Sequence, residues 1–77
     1  MKNKLEKDRI YKIEMLCGNS CEFFLDKIKS FLWFNTYIVL LKRECENEYH
    51  TLRFENHPSY HDVESLYLNY LKTGHYV

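Results

Sequence analysis

The chain has 77 residues, enough for one small domain and near the size at which a single core barely suffices. Apolar residues make up 45% and aromatics 17%, with 7 Tyr and 5 Phe against 2 Gly and 1 Pro, which argues against disorder and low-complexity linkers. Formal net charge is zero, from 11 basic and 11 acidic side chains, a balance that argues against a module built chiefly to hold nucleic acid.

The charges are unevenly spread. Up to Arg43 there are 9 basic and 5 acidic residues; from Glu44 onward there are 2 and 6. Residues 1–77 are expected to form a single domain, with 1–8 as a flexible polar lead. No apolar stretch follows the charged start, and the aliphatic run Tyr37 to Leu41 is far too short to span a bilayer. Three cysteines make an odd number for a secreted disulfide framework. These features point to a reducing cytoplasm and to no membrane partner.

In chain order, Arg9 to Cys17 alternates as a strand does, and Gly18 to Ser20 breaks it. Asn19, with Glu22 three positions later, predicts a capped helix whose apolar face is Cys21, Phe24, Leu25, Ile28, Phe31 and Leu32. Asn35 to Cys45 reads as a β-branched strand, and Tyr49 to Asn56 as its hairpin partner across the polar turn at 46–48. Ser59 and Asp62 mark a second helix start, with Val63, Leu66, Tyr67, Tyr70 and Leu71 as its buried stripe and Gly74 beyond its end. The order β-α-β-β-α implies an α+β fold. Its three-stranded sheet has order 1-3-2 and two helices on one face, a split β-α-β or ferredoxin-like topology lacking the last strand.

In that topology Cys17 and Cys45 end at one sheet edge, where the next strand begins with His50. Cys17, Cys21, Cys45 and His50 then make a Cys₃His candidate for structural zinc. Strand spacing of about 5 Å keeps Cys45 some two strands from Cys17, so inert buried thiols are the favoured reading and no metal or other cofactor is expected. Cys21 in a first helical turn is a nucleophile candidate, but no Cys-x-x-Cys or partnering base accompanies it. His57 lies before the helix that carries His61, so the pair lacks a metal-binding helix spacing. No phosphate loop, nucleophile elbow or dinucleotide fingerprint occurs, and the chain is expected not to be an enzyme.

Surplus apolar surface remains. At about 100° per residue, Phe23, Trp33 and Phe34 point away from the core face of the first helix. On the second helix, Leu68 lies off the buried stripe and Tyr60 at its flank. Phe23, Trp33, Phe34, Tyr60 and Leu68 are therefore the expected contact patch for another protein, with a second copy of the chain as a further partner. The lack of catalytic apparatus is similar in kind to small phage- or plasmid-encoded proteins that bind and inhibit host factors, a general resemblance carried by no motif. Nucleic acid is the alternative partner. Against it, the expected wet sheet face offers Lys12, Glu14, Arg53 and Glu55, whose carboxylates repel phosphate, and only Tyr49 for stacking.

Overall fold

Phe23, Phe24 and Leu25 are consecutive apolar residues, so this segment satisfies a helical stripe and a strand buried on both faces equally well. In the computed structural model, which describes residues 3–76 without the side chain of Cys17, the strand wins. The elements are β1 (Tyr11–Ile13), β2 (Cys21–Phe31), β3 (Phe34–Arg43), β4 (Tyr49–Phe54) and α1 (Tyr60–Thr73), with a 3₁₀ turn at Leu16–Gly18. They form one fully antiparallel sheet in the order β1-β2-β3-β4, and α1 packs on one face.

This overturns the expected three-stranded 1-3-2 sheet with two helices. The supposed first helix is β2, and the first strand shrinks to three residues on the sheet edge, antiparallel to β2. The reason lies across the chain. Residues 34–43 are rich in β-branched and aromatic side chains and fold straight back, pairing with β2 from Phe31↔Phe34 to Cys21↔Arg43. Ladder hydrogen bonds along that length outweigh one local cap at Asn19.

The register divides the strands into two faces. Ile13, Cys21, Phe23, Leu25, Val39, Leu41 and Leu52 face α1 and are buried with its Val63 and Tyr67. Phe23, Leu25, Leu41 and Val39 are fully buried, each contributing roughly 1.5–3 kcal/mol by area. A bulge at Asp26, between Leu25 and Lys27, adds one residue to β2. It turns Ile28 onto the helix side, opposite Tyr37, and puts Lys27, Lys29 and Phe31 on the other.

The hairpin of β3 and β4 and the C-terminal helix stand as expected. Ser59 caps α1 by accepting from the Asp62 amide, while the Asp62 carboxylate accepts from the Ser59 amide. Gly74 closes the helix in the left-handed region at φ 82°, its amide donating to Tyr70. The polar lead is not detached. Leu5 is 2% exposed in the core, its amide donating to the Pro58 carbonyl at 2.9 Å, and the Asp8 amide donates to Leu25. Within 1–8, Met1 and Lys2 lie outside the described residues, as does Val77 at the other end.

Candidate functional site

β2 and β3 are the longest strands, and the pairing of β1 and β4 stops well short of their far ends. β1 reaches only Phe23, and β4 reaches only Tyr37. Lys29–Phe31 and Phe34–Thr36 therefore form a two-stranded arm that leaves the body of the sheet. At about 3.3 Å per residue the arm adds roughly 10 Å to one end of the molecule. Leu32 and Trp33 make its two-residue turn, and Leu32 alone of the two has a positive φ, 57°. That is the pattern of a type II′ hairpin turn, whose first central position ordinarily takes glycine.

The end of the arm is Phe31-Leu32-Trp33-Phe34, respectively 74, 70, 80 and 60% exposed. The Trp33 and Phe34 rings lie tilted with centroids 5.6 Å apart. Four consecutive large apolar side chains at a strained turn leave a contiguous patch in water, which monomeric proteins avoid unless the patch is used. The sequence-derived patch divides accordingly. Trp33 and Phe34 lie in it, and Leu68, 40% exposed, sits away from it on α1. Tyr60 is half-buried, its hydroxyl donating to the Lys12 carbonyl and its ring against Phe23. Phe23 is 0% exposed: its outward placement assumed a helix, and in β2 it points under α1. Phe31 and Leu32, assigned to a helical core face by sequence, are the residues that reasoning missed.

The open face of the sheet continues from the arm. Its ladder rows are Lys27-Ile38-Arg53, Phe24-Leu40-Thr51 and Lys12-Glu22-Lys42-Tyr49. The Phe24 and Tyr49 rings meet edge to face at 6.0 Å. Ile38 is buried here although no helix covers it, between the cross-strand positions of Lys27 and Arg53, whose stems suit such cover. Glu14 and Glu55, counted as carboxylates of this face, lie just beyond the ends of β1 and β4. A signal for the whole surface is present in the sequence: from Lys27 through Arg43 there are four cations and no Asp or Glu.

Among the described residues the zinc candidates do not form a metal-binding group. Cys21 is buried beneath α1, Cys45 is exposed past the end of β3, and His50 bonds Glu46 at 2.8 Å. The Cys17 side chain lies outside the described residues. Among the described residues no group of three or more His, Cys, Asp and Glu is placed to hold a metal ion. His57 is likewise engaged, 2.8 Å from the Leu5 carbonyl and stacked on Tyr37. An open depression of about 570 Å³ at the opposite end of the sheet from the arm is lined by Lys12, Glu14, Cys21, Glu22, Arg43 and Glu44 among others. Burial pushes its thiol, Cys21, up to about 11, the reverse of the lowering that a helical first turn would supply. Among the described residues, no helix is long and apolar enough to cross a membrane. Comparison with models of protein families, with curated proteins and with solved structures finds no match for this chain.

Proposed function

We propose that this protein is a non-enzymatic binding module that docks another protein through the end of its β2–β3 arm. The observation that supports this is the exposed run Phe31-Leu32-Trp33-Phe34, held away from the body on a two-stranded ladder. A rigid hairpin presents large side chains at little entropic cost, and Trp and aromatic residues are the usual anchors of protein interfaces. The partner surface that complements it is an apolar groove with an acidic rim, since Lys29 flanks the apolar end and the arm holds no carboxylate.

Trp33 is the single tryptophan, so its fluorescence reports on this site alone. Crosslinking from a photoreactive group placed at position 33 is expected to capture a partner whose binding blue-shifts Trp33 emission. Leu32→Ser and Trp33→Ser variants are expected to fold normally and to bind that partner at least ten-fold more weakly, as loss of an interface anchor does. Unchanged affinity in both variants places the contact elsewhere.

A further inference from the structure

The zero net charge of the chain conceals a one-sided distribution. Of its 11 basic residues, Lys12, Lys27, Lys29, Lys42 and Arg53 occupy ladder positions on the open face of the sheet. Among the ladder positions of that face, one carboxylate is present, Glu22, and it stands between Lys12 and Lys42. Most of the other acids lie off the sheet, as Glu44, Glu46 and Glu48 do in the β3–β4 turn and Asp62 and Glu64 on α1. In the body of the sheet, short of the Phe31↔Phe34 pair of the arm, two rings are interleaved with the cations, Phe24 on β2 and the half-exposed Tyr49 on β4. Side chains of both kinds stand off one face of the sheet, about 5 Å apart between strands and 7 Å along them.

We infer that this open face is a second binding surface, for single-stranded nucleic acid. The strand's phosphates would be met by Lys27, Lys29, Lys42 and Arg53, and its bases would stack on Phe24 and Tyr49. The charge selects a polyanion. The rings select one with accessible bases, because a duplex keeps its base faces covered and a lipid headgroup layer has none. This face shares Lys29 with the rim of the docking surface but uses neither of its anchors, Leu32 and Trp33, so variants at those two positions separate it from protein docking by the arm end. The mixture of bases and rings also predicts tolerance of sequence, since every base has a face to stack and no side-chain amide stands among the rings to read base edges.

The test is anisotropy titration of the full chain with a labelled oligothymidylate of about 15 nucleotides, within the length such surfaces cover. Comparison strands are a base-free strand of equal charge and a duplex, and anionic phosphatidylserine vesicles are a further arm. Saturable binding is expected at low salt, with log affinity falling against log salt at a slope of up to about −2.8 for four cations. The base-free strand, the duplex and the vesicles are each expected to bind at least ten-fold more weakly. A Lys27→Gln, Arg53→Gln pair is expected to flatten the slope by about one unit or more. Tyr49→Leu is expected to lose about five-fold in affinity with the slope unchanged, and Trp33→Ser is expected to change neither. Absence of binding, equal binding of the base-free strand, the duplex or the vesicles, or a slope unmoved by the Lys27/Arg53 pair overturns the inference. Failure of the arm variants to affect a protein partner leaves it standing.

Discussion

Cys21 shows how one residue changes meaning with its surroundings. In a helical first turn its thiol would be activated by backbone amides; on the covered face of β2 it is buried, and desolvation pushes it up to about 11 from 9.0. An acid whose pKa rises on folding keeps its proton where the unfolded chain has lost it. Between about pH 9 and 11 the unfolded state therefore binds fewer protons, and stability falls as pH rises through that window. The hydroxyls of Tyr60 and Tyr67, also raised by burial, act in the same direction, so the thiol is isolated by difference. Urea melts from pH 8 to 11 are expected to show a steeper decline for the native chain than for Cys21→Ala. Equal slopes would mean that the thiol is hydrated in the folded protein. With a thiol reagent at pH 8, peptide mapping is expected to find Cys45 modified and Cys21 intact.

At the scale of the element, the arm holds a conflict between stability and exposure. Leu32 has φ 57°, where an L side chain costs roughly 1–2 kcal/mol, and its 70% exposure returns little packing energy. Glycine relieves the strain and gives part of it back as chain entropy, so Leu32→Gly is expected to stabilise the fold by about 0.5–1 kcal/mol in chemical denaturation. The same variant removes an apolar side chain from the arm end and is expected to weaken protein docking. A neutral or destabilising result would mean that Leu32 packs on something in the folded chain. The helix α1 carries no such conflict. Its capping box, buried stripe and glycine stop all agree, which is why its boundaries follow from sequence alone.

At the scale of the whole molecule, one helix covers one face of a four-stranded sheet, and the core is completed from the N-terminal lead. Leu5 closes it beside the start of α1, held by hydrogen bonds to the Pro58 carbonyl from its amide and from His57 to its own carbonyl. Leu5→Ala is expected to cost about 2–5 kcal/mol, a large part of the stability of a domain this small. A thermal melt superimposing on that of the native chain would show that the lead is dispensable. Beyond this core the molecule has two unsatisfied surfaces, the arm end and the basic open face. Both follow from β2 being a strand, since that choice brings Phe24, Lys27, Lys29 and Phe31 to the side away from α1.

By itself the sequence determined the β3–β4 hairpin, the capped C-terminal helix and the surplus of aromatic surface around Trp33 and Phe34. Each rests on local chemistry: alternation, turn residues, caps and composition. What only tertiary structure decided was the state of residues 21–31. Their apolar positions fit both periods, and the turn at Leu32-Trp33 has no glycine, asparagine or proline to announce a hairpin. The bulge at Asp26 then moved every later residue of β2 to the opposite face, a shift with no mark in the sequence. Pairing of β2 with β3, from Phe31↔Phe34 out to Cys21↔Arg43, fixed that strand, and with it which side of the molecule meets water.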